Sequence, residues 1–342
     1  MKAPAFWWRR PGVAALLLSP FAAIYGHFAG RRMRRSGVRP PLPVICVGNF
    51  VVGGAGKTPT ALALARLAID MGLKPAFLTR GHGGALKGPV QVDPKLHTAQ
   101  DVGDEALLLV TLAPVVKALD RTAGLARLTD IGANLCIMDD GFQNPSIDKT
   151  LSLVVVDGGV GVGNGLTLPA GPLRAPLSIQ MAAADAVLVL GAGPHSARVI
   201  AAAARAGKAV LDARTVPCGP RLADDRPLFA FAGIGRPQKF FDQLVADGYR
   251  LAGTRAFADH HAFSEADAAE VLEAAAIADA ALVTTSKDAA RLAGSGGRLA
   301  ELLATTLVYE VETRFASPTA VRELIAATRD RWLRDTFCRG ST

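Results

Sequence analysis

The 342-residue chain is 50% hydrophobic and 20% charged, which excludes a disordered polymer and leaves room for two folded domains. Its four cysteines, Cys46, Cys136, Cys218 and Cys338, lie far apart with no CxxC or metal-ligand spacing, as expected of reduced, structural thiols. The formal charge of +8 comes from residues 1–40 alone, which hold Lys2, Arg9, Arg10, Arg31, Arg32, Arg34, Arg35 and Arg39 and no acidic residue.

In chain order the first feature is an apolar stretch, Val13–Phe28, with Trp7 and Trp8 before it and the arginine cluster after it. Tryptophan at the headgroup level and arginine toward anionic phospholipid suit a helix lying in a membrane surface. A secretory signal peptide shares the basic start and apolar middle, but five arginines follow at once and no cleavage site is evident. A spanning helix needs roughly 20 apolar residues; this run is shorter and contains Pro20, Gly26 and His27. The other alternative is a solvated basic helix packed on its own domain. A nucleic-acid binder spreads its basic charge over a folded face, so no nucleic-acid partner is expected, and no obligate protein partner is evident.

Next, Val44–Val47 predicts a strand that stops at a glycine-rich turn, followed by Gly56-Lys57-Thr58 and a helix over Thr60–Asp70. Strand, glycine loop, Lys-Thr and helix are the layout of a phosphate-binding P-loop. Val52, Gly53, Gly54, Ala55, Gly56, Lys57, Thr58 and Pro59 would wrap nucleotide phosphates in backbone N–H groups at a helix N-terminus. Lys57 would reach the β- and γ-phosphates and the Thr58 hydroxyl would ligate Mg²⁺. The strict pattern has glycine six residues before the lysine, where Val51 stands; Gly48, Gly53 and Gly54 are expected to supply the flexibility instead.

Further strands are predicted at Ala76–Leu78, Leu135–Met138, Leu151–Val156, Ala186–Leu190 and Ala209–Leu211. Helical runs such as Glu105–Thr111 and Ala197–Ala206 fall between several of them. The fold class is therefore α/β, a P-loop NTPase-like, mainly parallel sheet with helices on both faces. Thr167–Pro176 reads as an ordered loop. A boundary is expected in Pro217–Pro227, followed by a smaller α/β unit with strands at Leu228–Ala232, Ala281–Thr284 and Leu307–Val311. Helices are expected around Pro237–Asp247 and Glu265–Ala278. The expected domains are 1–40, membrane-associated; 41–218, the P-loop domain, with a helix over 318–338 packing back on it; and 219–317, closing over the site.

Leu135–Asp140 is an apolar strand ending in Asp139 and Asp140, the place where P-loop enzymes hold Mg²⁺. Asp104 and Glu105 open a helical run after Gly103 and either cap that helix or take a hydroxyl proton and organise the metal. In Asp259-His260-His261 no third metal ligand follows by spacing, and only closure of the two domains would bring His260 to Asp104. Ser286-Lys287-Asp288 has the wrong spacing for a guanine-reading motif, and Val52 stands where ParA-like ATPases carry lysine. Both absences favour a transferase acting on a small acceptor.

With PVICVGNFVVGGAGKTPT (Pro43–Thr60), LTRGHGG (Leu78–Gly84), GDE (Gly103–Glu105), DDGFQ (Asp139–Gln143), LPAGPLRAP (Leu168–Pro176), FAGIG (Phe231–Gly235), ADHHAFS (Ala258–Ser264) and TTSKDAAR (Thr284–Arg291) in this order, the chain resembles the tetraacyldisaccharide 4′-kinases of lipid A biosynthesis. The resemblance implies transfer of the γ-phosphate of ATP to the 4′-hydroxyl of a lipid substrate, tetraacyldisaccharide 1-phosphate, at the cytoplasmic face of the inner membrane. It implies Asp104 as general base with His260 as its dyad partner. Lys57 and Thr58 would hold phosphate and Mg²⁺, and Glu105, Asp139 and Asp140 would organise the metal. Arg80, Arg121 and Asn144 are the implied substrate or phosphate contacts. Departures from the family pattern are Ala106 for a proline, Asn144 for a histidine, and Lys149-Thr150 for Arg-Asp. Asparagine hydrogen-bonds but cannot act as a base at neutral pH. Alternatives to this function are a kinase of another hydroxyl acceptor and a regulatory ATPase.

Overall fold

Short, uninterrupted apolar runs bury both faces of their strands, and in this chain they build two separate sheets. The computed structural model describes residues 3–219 and 226–337. The strands are β1 Val44–Gly48, β2 Pro75–Thr79, β3 Val90–Gln91, β4 Val115–Lys117, β5 Leu135–Asp139, β6 Leu151–Asp157, β7 Ala186–Leu190, β8 Ala209–Pro217, β9 Leu228–Ala232, β10 Leu251–Ala256, β11 Ala281–Thr285, β12 Thr306–Tyr309 and β13 Val311–Phe315. One sheet has the order β13-β8-β7-β6-β1-β5-β2-β4-β3. Its strands run parallel from β8 to β4, and only the outermost pairs, β13 with β8 and β3 with β4, are antiparallel. The central strands β1, β2, β5, β6 and β7 are buried at every position. The second sheet, β10-β9-β11-β12, is wholly parallel.

Strand order fixes the site. From β1 the chain crosses to β2, then inserts β5 between them, and then places β6 on the other flank of β1. Connections that leave on opposite sides open a crevice at the carboxyl ends of the strands, where α/β sheets bind ligands. The helix Lys57–Asp70 leaves β1 at this point and lays Ala61, Leu64, Ala65 and Ala68 on the sheet. Cys46 and Cys136 are buried, free thiols on the neighbouring strands β1 and β5, and burial pushes Cys46 up to about 11. Cys338 lies outside the described residues.

The apolar run expected over Leu307–Val311 is divided between the two sheets. β12 pairs with β11 in the smaller one, whereas β13 returns to the edge of the larger one beside β8. The smaller sheet thus ends at Tyr309, before the expected limit of 317, because Val311–Phe315 finds its hydrogen-bond partners in the other sheet. The helix Pro318–Phe337 then packs on Lys57–Asp70 with Val321 and Ile325 in the core. Part of the expected boundary Pro217–Pro227, residues 220–225, lies outside the described residues, as does residue 338.

The N-terminal helix Val13–Met33 is longer than its apolar run and keeps Pro20 inside it. Its small residues Ala15, Ala22, Gly26 and Gly30 form the buried side. A Cβ at Gly30 would stand 2.4 Å from Ile179 Cδ1, and Thr167 Oγ1 donates to the Ala22 carbonyl at 2.7 Å. Val13, Leu16, Leu17, Phe21, Ile24 and Phe28 point outward and are exposed. By length and composition it is the one helix among the described residues long and apolar enough to cross a membrane.

Candidate active site

The P-loop takes its shape from glycines that other residues cannot replace. Gly53 and Gly56 have φ of +100° and +86°, a backbone region that favours glycine. Around Gly53 and Gly54 the space that a Cβ would occupy is open, as a loop that receives a ligand against its backbone requires. Gly48, expected to supply flexibility, has a packing role instead: a Cβ there would stand 2.2 Å from Phe142 Cβ. Val52 N–H donates to the Pro172 carbonyl at 2.9 Å, so the proline-rich loop braces the P-loop from outside. Ala55 is buried and Pro59 lies in the first helical turn, where its missing N–H costs nothing. Gln143 Nε2 donates to the Asn49 carbonyl at 2.7 Å and to Gln180 Oε1 at 2.9 Å, tying the DDGFQ turn to the same loop.

At the end of β5, Thr58 Oγ1 donates to Asp139 Oδ2 at 3.1 Å. The other oxygen, Asp139 Oδ1, is buried without a hydrogen-bond partner. Burial, with Glu105 adding to it, pushes the Asp139 carboxyl up to about 7. An orphaned carboxylate oxygen beside a hydroxyl is the oxygen donor chemistry that a hard divalent cation takes. Among the described residues no three His, Cys, Asp or Glu groups form a closed metal cage; Mg²⁺ in phosphate sites usually keeps waters and substrate oxygens as ligands. Asp140 adopts a left-handed φ of 53°. Its carboxylate accepts from Arg174 Nη1 and Nη2 at 2.8 and 3.2 Å and stands 3.7 Å from Lys57 Nζ. Burial opposes ionisation there, but Lys57 and Arg174 overcome it and hold Asp140 down at about 2.

On the facing side of the crevice the smaller unit supplies cations. His260 Nδ1 lies 3.4 Å from Asp104 Oδ2, so the two sheets meet closely enough to join the residues. Arg291 donates from Nε and Nη2 to the same Asp104 oxygen at 2.8 and 2.6 Å, and Lys287 Nζ meets Glu105 Oε1 at 2.7 Å. Burial raises the Asp104 carboxyl, yet His260, Lys287 and Arg291 together carry it well below the usual carboxylate range. Hydrogen bonding to Asp104 lifts His260 above the usual imidazole range, against the opposing effect of burial. His261 turns away, with Nε2 on Asp267 at 3.0 Å and its ring stacked on Phe257.

Of the remaining expected contacts, Arg121 lies close enough to Asp140 and Arg80 to act on both charges. Arg121 is buried, donates to the Ala118 carbonyl at 2.8 Å and leaves its Nε without a partner. Arg80 is exposed. Asn144 uses its side-chain oxygen to cap its own turn, accepting the Ser146 N–H at 2.8 Å, while Lys149 donates to its carbonyl. Residues not anticipated as part of the site are Arg174, Lys287, Arg291 and Asp157, which holds Arg236 and Lys239 across the interface. Arg174, Lys287 and Arg291 lie in the segments LPAGPLRAP and TTSKDAAR, which were recognisable, but their partners are 34, 182 and 187 positions away.

A family model described as Tetraacyldisaccharide-1-P 4′-kinase matches residues 14–329. A tetraacyldisaccharide 4′-kinase of Methylobacterium nodulans is 50% identical over 323 residues, covering 94% of this chain and 94% of that protein. One from Xanthobacter autotrophicus is 54% identical over 297 residues, covering 86% and 87%. Among solved structures, the "apo" form of LpxK from Aquifex aeolicus in complex with ATP has a TM-score of 0.69 at 23% identity, covering 92% of this chain and 99% of that one, a likeness of fold. On the extent of these matches, the chain belongs to the tetraacyldisaccharide 4′-kinase family.

Proposed function

We propose that the protein transfers the γ-phosphate of ATP to the 4′-hydroxyl of tetraacyldisaccharide 1-phosphate, producing the bisphosphorylated lipid of lipid A biosynthesis. The observation that carries this reading is the convergence of a P-loop and an acid–base pair, Asp104 and His260, on one crevice between the two sheets. The P-loop backbone and Lys57 bind and orient the nucleotide phosphates. Asp104 accepts the proton of the sugar hydroxyl as its oxygen bonds to phosphorus and ADP departs. His260 stabilises and shares that charge. Thr58 and Asp139, with Glu105 and Asp140 nearby, would hold Mg²⁺, which would neutralise phosphate charge when bound. Arg174 keeps Asp140 ionised and in place, and Lys287 does the same for Glu105, so most of the rate comes from positioning and fixed charge.

The acceptor carries four acyl chains and stays in the bilayer, so the enzyme must come to it. Exposed apolar residues on Val13–Met33, followed by Arg31, Arg32, Arg34 and Arg35, suit attachment to the cytoplasmic face of the inner membrane. The test is ATP consumption in mixed micelles. The reading requires stimulation by the acceptor and none by an analogue whose 4′-hydroxyl is methylated. Equal consumption without acceptor would mean a regulatory ATPase, and stimulation by the blocked analogue would mean another acceptor position.

A further inference from the structure

One guanidinium holds one half of the proposed acid–base pair directly and the other through a shared backbone carbonyl. Arg291, on the helix Ser286–Leu292, is almost fully buried and donates to three groups from three parts of the chain. Two N–H groups go to Asp104 Oδ2, and Nη1 goes to both the Gly233 carbonyl and Asp288 Oδ1, each at 2.7 Å. The same Gly233 carbonyl accepts the backbone N–H of His260 at 3.1 Å. Asp288, fully buried, holds the other side of that residue by accepting the Gly233 N–H at 3.0 Å. His260 needs this support, because it has a φ of 56°, a conformation that costs energy in any residue with a side chain.

We infer that Arg291 is the positioning residue of the reaction: it fixes the Asp104 carboxylate directly and the His260 backbone through the Gly233 peptide. The inference rests on the proposed phosphotransfer. Arg291 and His260 come from the smaller unit and Asp104 from the larger, so the guanidinium makes docking of the two units and assembly of the pair one event. The charge of Arg291 is not sufficient for this. A planar fork meets three acceptors at fixed angles, whereas an ammonium on a flexible stem can satisfy only some of them. The P-loop, Thr58 and Asp139 lie outside this set of hydrogen bonds, so the loss on disturbing it is expected in turnover before ATP affinity.

The experiment compares wild type with Arg291→Lys, which keeps the buried charge balance with Asp104 and Asp288, and with Arg291→Ala supplemented with methylguanidinium. Arg291→Lys is expected to fold, to bind ATP as wild type does, and to lose about 10- to 100-fold in kcat with little change in KM for the lipid, the scale of an ångström-level misplacement. Methylguanidinium is expected to restore part of the activity of Arg291→Ala. A kcat of Arg291→Lys within twofold of wild type, or a loss that falls on ATP affinity, would overturn the inference. Wild type that phosphorylates no acceptor would instead defeat the proposed function. In that case the ¹⁵N-histidine spectrum decides separately: ring signals of His260 that move in Arg291→Lys uphold the positioning role, and signals that stay in place refute it.

Discussion

Asp139→Asn should stabilise the metal-free protein above neutral pH while it removes turnover. Asp139 is 1% exposed and has one carboxylate oxygen without a partner. Burial and Glu105 raise its folded-state pKa to about 7, against about 3.9 in an unfolded chain. Between those two values the folded state binds more protons than the unfolded state, so stability falls as pH rises through this window. The accumulated loss is roughly 4 kcal/mol above pH 7, and an uncharged asparagine does not incur it. For 342 residues unfolding together, that corresponds to a melting temperature higher by about 5 °C in the variant. At pH 5 only about a third of the gain should remain, since most of the window then lies above the working pH. Melting curves in EDTA at pH 8 and pH 5 measure this directly. With ATP and Mg²⁺ added, wild type should gain stability and the variant should gain less. A variant less stable than wild type at pH 8, or a gain that is the same at both pH values, would refute the account of Asp139 as a buried carboxylate awaiting a cation.

Three other outcomes are expected. Lys57→Ala should lower kcat by about 100- to 1,000-fold, on the proposal that Lys57 neutralises charge on the nucleotide phosphates; substantial remaining turnover in a steady-state assay would count against the loop. Asp104→Ala should cost about 100- to 10,000-fold in kcat with ATP affinity little changed by calorimetry, whereas a pure binding defect would contradict the base role proposed for it. Phe21→Asp and Phe28→Asp together should abolish co-sedimentation with anionic vesicles and leave the melting temperature unchanged, since both side chains are more than half exposed; vesicle binding equal to wild type would remove the membrane role of the helix.

Local chemistry made the centre of the molecule legible in the sequence. Val44–Val47 is apolar on both faces and ends at a glycine loop with Lys57-Thr58, so strand, loop and helix follow one another without help from distant residues. The less legible elements depend on partners. β10, LAGTRA, is an edge strand with mostly exposed side chains and carries no apolar alternation to betray it. β13 continues the apolar run of β12 in sequence but belongs to the other sheet, a choice made by the unpaired edge of β8. In the site, the glycines and the acidic end of β5 are what suggest a phosphate and cation crevice. Which cation meets which carboxylate was hidden, because Lys287 and Arg291 reach Glu105 and Asp104 only after the two sheets dock. Asn144 is a case between the two: its place in the DDGFQN run suggests a substrate contact, and its side-chain oxygen also accepts the Ser146 N–H of its own turn.

The most direct test of the central claim is transfer of labelled γ-phosphate from ATP to tetraacyldisaccharide 1-phosphate in detergent micelles, with Lys57→Ala as control. The account predicts a labelled bisphosphorylated lipid carrying the new phosphate at the 4′ position, made by wild type and not by the control. No labelled lipid from wild type that demonstrably binds ATP would contradict it.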